Sequence, residues 1–219
     1  MNVIERRLAQ AQRRERVVPA SYHTIKRALD LAIGGVVVVL SLPIVAVAAL
    51  GVIAVSPGSP FFLQERVGRD GRRFRMIKLR TMIVDAERYA KDVEHLNEVS
   101  GPVFKVKRDP RLHPLGALLR RTSIDELPNF FNVLRGEMAI VGPRPPLPSE
   151  VANYAPEALV RLTVKPGITC LWQISGRSNV PFHEWVELDR AYIETWTPLG
   201  DLAIIARTVP AVVRGVGAH

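Results

Sequence analysis

The chain has 219 residues, 47% of them apolar, enough for one domain with a core or for a small domain plus a membrane element, and too apolar for a disordered polypeptide. Thirty Lys and Arg against 21 Asp and Glu leave a formal charge of +9, which suits an anionic partner: nucleic acid, phospholipid headgroups or a phosphorylated small molecule. A single cysteine, Cys170, excludes an intramolecular disulfide, and no CxxC or His cluster signals zinc, so His113 and His183 read as ordinary surface or core residues of a cytosolic part.

Residues 1–21 form a charged, basic arm, and residues 22–56 carry the membrane element. From Leu31 to Val55 there is no charge, and a helix over that run, at about 1.5 Å per residue, would span the roughly 30 Å of bilayer hydrocarbon. It starts too far from Met1 and is too long for a cleaved signal peptide. A single crossing helix is the simplest reading. Two features favour a re-entrant helix-break-helix instead. Pro43, just after Ser41, removes a helix hydrogen bond and clashes with the preceding turn. Both flanks are also basic: Arg13, Arg14, Arg16, Lys26 and Arg27 precede the run, and Arg66, Arg69, Arg72, Arg73, Arg75 and Lys78 follow it. Since basic flanks stay on the cytoplasmic side, a crossing helix would misplace one of them, whereas a hairpin hinged at Ser41-Leu42-Pro43 keeps both inside.

Residues 57–219 form the domain outside the membrane. Ser56 to Pro60 is a loop of Pro and Gly. The run FFLQERVGRDGRRFRMIKLRTM alternates about Asp70-Gly71, which predicts a β-hairpin. Asp85 to Asn97 reads as a polar helix, residues 98–114 as a connection, Leu115 to Thr122 as a short helix, and Ile124 to Leu134 as another ended by Gly136. A helix near Ser149 to Leu162 is followed by a turn at Lys165-Pro166-Gly167. Phe182 to Trp196 places Trp185, Leu188, Tyr192 and Trp196 at helical spacing, and Leu202 to Val216 is apolar with Arg207 and Arg214 as its charges. These last helices either pack on the core or lie in the headgroup plane.

In LRRTSIDELPNFFNVLRGEMAIVGPRP, Asp125 and Glu126 stand between Arg120 and Arg121 upstream and Arg144 downstream. Ser123 to Glu126 fits a capping box, which needs no chemistry. With Ser123 as the cap, Pro128 falls inside the helix and loses a bond; with Asp125 as the cap it falls in the first turn and loses none. Either way both carboxylates sit at a helix N-terminus, where they can converge on a metal or a phosphate. Carboxylates, a divalent cation and an arginine clamp are what phosphoryl transfer requires, and an Asp can itself attack to give an acyl phosphate.

Three motifs, ERVGRDGRRFRMIKLRTM, FKVKRDPRLHPLGALLRRTSIDELPNFFNVLRGEMAIVGPRPPLP and VKPGITCLWQISGRS, resemble in order and spacing the bacterial sugar transferases that load polyprenyl phosphate, the monotopic phosphoglycosyl transferases. The resemblance runs from about Tyr22 to Val209. It implies an enzyme of the small form, without the four-helix membrane region of larger members, that transfers sugar-1-phosphate from a UDP-sugar to undecaprenyl phosphate, releasing UMP, by ping-pong through a covalent phosphosugar on Asp125. It makes Glu126 the partner of Asp125 at a Mg2+ ion, and Lys78, Arg80, Arg120 and Arg144 phosphate-binding. It places Asp189 near the nucleotide or metal and the helix break at Ser41 and Pro43. The fold it implies is α+β and mostly helical: a re-entrant N-terminal helix, a small β-hairpin, and a compact catalytic domain with amphipathic helices at the cytoplasmic face of the bacterial inner membrane. Membrane lipids are partners, a homodimer is compatible, and nucleic acid has no role. Cys170 stands where the family usually has glycine. The competing readings are a membrane-tethered module binding nucleic acid or anionic lipid through the basic hairpin, which leaves the acidic pair unexplained, and a scaffold subunit without turnover.

Overall fold

The computed structural model describes residues 20–97, 106, 109–175 and 181–214; the side chains of residues 20–22 and 211–214 are not described. The basic arm expected over 1–21 therefore lies outside the described residues up to residue 19, as does most of 98–108.

Helix α1, Ala20–Val55, runs as one hydrogen-bonded helix with Pro43 inside it, so the interruption expected at Ser41-Leu42-Pro43 does not divide the helix. Pro43 leaves the Val39 carbonyl without its helix donor. Beside it the Ser41 hydroxyl donates to the Val38 carbonyl at 3.1 Å. At about 1.5 Å per residue α1 is roughly 54 Å long, more than a bilayer core requires. Lys26, Asp30, Gly34, Val38, Ser41, Val45 and Val52 are buried, a spacing of three, four or seven residues that lays one stripe of the helix on the rest of the chain on both sides of Pro43. The opposite face is apolar and open: Leu40, Val47 and Leu50 are 70%, 71% and 69% exposed. Such a face has no place in water.

Both ends of α1 are tied to the same body. At the N-terminal end, Lys26 Nζ lies 2.6 Å from Asp201 Oδ2, Arg27 donates to the carbonyls of Val133 at 2.6 Å and Leu134 at 2.8 Å, and Asp30 accepts the Ile140 amide at 2.9 Å. At the other end, Arg80 donates to the Ser59 carbonyl at 2.7 Å, to Ser56 Oγ at 2.7 Å and to the Ser56 carbonyl.

The expected hairpin is present: β1, Phe61–Val67, pairs antiparallel with β2, Arg73–Leu79, with Phe62 opposite Lys78, Gln64 opposite Met76 and Arg66 opposite Phe74. Because side chains alternate, these six share the inner face. Asp70 (φ 58°) and Gly71 (φ 75°) both take the left-handed conformation that turns the chain, within a wider loop closed by Gly68 and Arg72 rather than a two-residue turn.

Asp85 to Asn97 departs from expectation. It forms two 3-10 turns, Ala86–Tyr89 and Lys91–Leu96, instead of a helix, starting from a left-handed Asp85 that makes no side-chain cap bond. Helix α2, Gly116–Thr122, follows as expected. Gly116 allows its approach, since a Cβ there would sit 2.0 Å from the Thr81 carbonyl oxygen. Helix α3, Asn129–Arg135, ends at Gly136 (φ 81°), as expected, but begins at Asn129 instead of Ile124. Strand β3, Ala139–Val141, then pairs in parallel with β4, Gly167–Thr169, where only a turn was expected.

The helix expected near Ser149 to Leu162 is split at Pro156 into α4, Pro148–Ala152, and a 3-10 stretch, Pro156–Leu162. Short α5, Leu171–Ile174, leads toward α6, Phe182–Thr195, and α7, Pro198–Arg214. Residues of β2, α3, β3, the Pro156–Leu162 stretch and α6 share one core around Met138, Val141 and Leu162. The aromatic face of α6 belongs inside: Trp185 and Tyr192 are buried, and Trp185 stacks on Trp172 at 4.2 Å. On α7, by contrast, Leu199, Leu202 and Val209 stand exposed.

Candidate active site

The acidic pair sits between two helices and caps neither. Ser123, at φ 55°, ends α2, and one 3-10 turn, Ile124–Glu126, leads through Leu127 and Pro128 into α3. Ser123 makes no side-chain cap bond, so the capping box is absent, and so is the cap by Asp125. Pro128 takes the N-cap position of α3, where its missing N–H costs no helix bond. A non-glycine residue held left-handed costs about 1 kcal/mol, an expense that here turns two successive carboxylates out of regular helix.

Asp125 is buried. Burial, and then the neighbouring Glu126, push its carboxyl up to about 7, against the pull of Lys78 and Arg120. Glu126 shows the opposite balance: burial would raise it, but Lys78, bonded to its Oε1 at 2.7 Å, with Arg144 and Arg66, holds it below the usual carboxylate range. The pair thus splits into one carboxyl that ionises near neutrality and one that stays charged, the pattern of groups with divided roles.

The hairpin's inner face delivers the cations. Lys78 and Arg66 share it with Phe74 and Met76, and Asn132 pins the hairpin to α3 by accepting the Ile77 amide at 3.1 Å and donating to the Arg75 carbonyl at 2.8 Å. Arg66 is buried, donating to the Pro145 carbonyl at 2.8 Å and to Gln64 Oε1 at 3.1 Å. Burial, with Arg144 beside it, lowers its guanidinium to about 9. Arg120 donates to Thr81 Oγ1 at 3.1 Å, a contact that depends on the close approach at Gly116. Arg144 is held by both oxygens of the buried Glu150, at 3.2 and 3.0 Å.

Of the expected site residues, Glu126, Lys78 and Arg120 therefore lie within electrostatic reach of Asp125, and Lys78 and Arg144 within that of Glu126. Arg80 is turned the other way, clamping Ser56 and Ser59. Asp189 is 1% exposed and paired with the fully buried Arg161 at 2.7 Å, which also donates to Tyr154 Oη at 2.7 Å. Asp189 reaches the site only indirectly, through a 3.5 Å contact from Arg161 to the Arg144 carbonyl. Sequence reasoning missed Arg66 as a site residue. The signal was there: Gln64 and Arg66 share the inward parity of Phe62, and polar groups at inward strand positions need a reason. Cys170 is buried on extended backbone (φ −159°), so it strains nothing where glycine was expected.

The match to the bacterial sugar transferase family covers residues 21–215. The chain is 46% identical over 199 residues to the galactosyl transferase CpsE of Streptococcus agalactiae, covering 90% of this chain and 44% of that protein. It is 35% identical over 198 residues to the exopolysaccharide production protein ExoY of Rhizobium meliloti, covering 89% and 88%. It is 38% identical over 199 residues to the UDP-glucose:undecaprenyl-phosphate glucose-1-phosphate transferase of Caulobacter vibrioides, covering 86% and 69%. The chain thus spans less than half the length of the streptococcal relative and most of the rhizobial one.

Proposed function

Because the chain belongs to the bacterial sugar transferase family, we propose that it transfers sugar-1-phosphate from a UDP-sugar to undecaprenyl phosphate, giving UMP and an undecaprenyl-diphosphate sugar. The observation that carries the reading is the arrangement of the pair: a buried Asp125 next to Glu126, whose Oε1 Lys78 holds at 2.7 Å, with Arg66, Arg120 and Arg144 close enough to act on it.

In this reading an oxygen of ionised Asp125 attacks the sugar-bearing phosphorus. The new bond joins aspartate to phosphorus, the phosphoanhydride bond breaks, and UMP leaves with the electron pair. An oxygen of undecaprenyl phosphate then attacks the same phosphorus and returns the aspartate as a carboxylate, so electrons and atoms balance over two displacements. Splitting the transfer lets the soluble donor leave before the lipid enters one common site. Arg66, Lys78, Arg120 and Arg144 supply the positive field the phosphates need, and burial strengthens it.

Two adjacent carboxylates suit Mg2+, which takes one or two from protein and fills its shell with substrate phosphate and water. The pair would supply two of the ligands such an ion takes, and substrate phosphate and water would supply the rest. Asp125 and Glu126 would hold the ion, which neutralises charge on the diphosphate.

The membrane posture follows the same logic. Lys26, Arg27 and Asp30 at one end of α1 and Ser56 at the other bond to one folded domain, which cannot stand on both sides of a bilayer. That supports a re-entrant α1, bent at Pro43, entering and leaving on the cytoplasmic face. The exposed apolar residues of α7 would rest at the interface. Asp125 would then be held at the depth of the acceptor's phosphate.

The test is UMP release from a panel of UDP-sugars by detergent-solubilised protein with undecaprenyl phosphate and Mg2+. Release with one donor, abolished by a chelator, supports the reading. No release from any donor contradicts it.

A further inference from the structure

The turned end of the hairpin holds a second cation-rich place. Arg69, Arg72, Arg135 and Lys165 line a cavity of about 230 Å3 together with Asp70 and Glu137. It has room for a phosphate and its first waters, each water taking about 30 Å3. The cavity lies roughly 17 Å from Lys78, five positions along β2 from Arg73 at about 3.3 Å each, so it is not the Asp125 cleft.

Its acids leave the excess unbalanced. Asp70 pairs with Arg69 at 3.2 Å, and Glu137 accepts from Asn132 at 2.7 Å. Arg73 also lines the cavity, paired with Glu65 at 2.8 Å, and a further cation stands at the wall: a Cβ on Gly136 would meet Lys165 Nζ at 3.5 Å and Arg27 Nη2 at 3.6 Å. Burial, then Arg27 and Arg69, hold the Lys165 amine below the usual lysine range, as expected of cations gathered without their anion.

We propose that this cavity is a second anion site that takes a phosphate-bearing group, bound by Lys165 with Arg69, Arg72 and Arg135. Bidentate guanidinium contacts and one ammonium match phosphate oxygens. Arg27 lies one turn before Leu31, where the uncharged run of α1 begins, which puts the cavity within reach of the headgroup plane as well as of solvent. A phospholipid headgroup and a soluble phosphate offer the same oxygens.

The test reads Lys165 itself. The full chain is placed in nanodiscs and pulse-labelled with an amine-reactive reagent, and labelling of Lys165 is quantified by peptide mass spectrometry against exposed Lys91. Three arms are compared: phosphatidylcholine discs in chloride, the same discs in inorganic phosphate at equal ionic strength, and phosphatidylglycerol discs in chloride. Only the neutral amine reacts, so an anion that raises the Lys165 pKa by one unit slows its labelling about tenfold. Slowing in phosphate identifies a soluble ligand. Slowing only with phosphatidylglycerol identifies a headgroup. In either case Arg72→Gln combined with Arg135→Gln must abolish the effect. Unchanged labelling in both arms, or equal slowing in the double variant, overturns the proposal.

Discussion

Asp125 carries the sharpest consequences among single residues. In the proposed transfer its attack requires ionisation, whose midpoint is about 7 in the metal-free protein; Mg2+ at the pair would lower it, so kcat/KM should fall on the acid side with a midpoint below 7. Lys78 pulls that ionisation down and Glu126 pushes it up. Lys78→Met should therefore move the acid limb to higher pH and Glu126→Gln to lower pH, whatever each does to the maximum, and pH–rate profiles of the three proteins decide it. The same burial has a cost in stability. The folded-state value lies above the unfolded one, so stability contributed by the protonated carboxyl is lost as pH rises from about 4 to about 7. Asp125→Asn should then stabilise the fold by on the order of 2–4 kcal/mol above pH 7 and hardly at all near pH 4, read as a pH-dependent Tm difference. A gain equal at both pH values would rule out burial as the cause. The acidic pair was legible in the sequence because it stood in a run of arginines. Arg66 was not, because its role comes from strand parity and from the half-buried Arg144 that the fold brings beside it. Neither the turn of Arg80 toward Ser56 nor the Asp189–Arg161 pair could be read from spacing, since both join distant segments.

Among the elements, α1 matters for how it is fastened. Lys26 and Asp201 form a pair whose side chains are only 9% and 5% exposed. Removing one partner strands the other charge, so Lys26→Met should cost about 3–5 kcal/mol, and adding Asp201→Asn should recover most of it. Thermal unfolding of the two variants in detergent gives the coupling; additive losses would mean that the pair does not hold α1 to α7. The hairpin was readable because alternation and an Asp-Gly turn are local signals, and α3 because Gly136 marks its end. Strands β3 and β4 were not, because three-residue strands paired across distant sequence leave no period to detect. Asp85 to Asn97 misled because mixed charges resemble a solvated helix while the segment has no cap. Ala155-Pro156 carries a local signal for the split after α4, since the residue before proline avoids helix, and the apolar spacing around it masks that signal.

For the molecule as a whole, the proposed posture follows from α1: a folded domain bonded to both ends of an apolar helix would keep both ends on one side of the membrane. The native Cys170 thiol is buried, and burial together with Asp189 pushes its pKa up, so it will not compete for labels. In intact cells His23→Cys and Ser59→Cys should both escape a membrane-impermeant maleimide, and in inverted vesicles both should react. Labelling of either from outside would mean a crossing helix. The basic residues on both flanks of the apolar run argue for the same posture from the sequence, while the packing of α1 on both sides of Pro43 was not legible there, because it joins that helix to distant segments. Everything proposed for the site turns on the covalent transfer, and the sharpest measurement of it omits the acceptor. With UDP-sugar and Mg2+ alone, wild-type protein should release one UMP per active site and gain the mass of one sugar phosphate on the peptide containing Asp125, and Asp125→Asn should do neither. Sustained turnover of UMP only when undecaprenyl phosphate is present, with no burst and no mass gain, or equal UMP release by the Asn variant, would refute the covalent transfer.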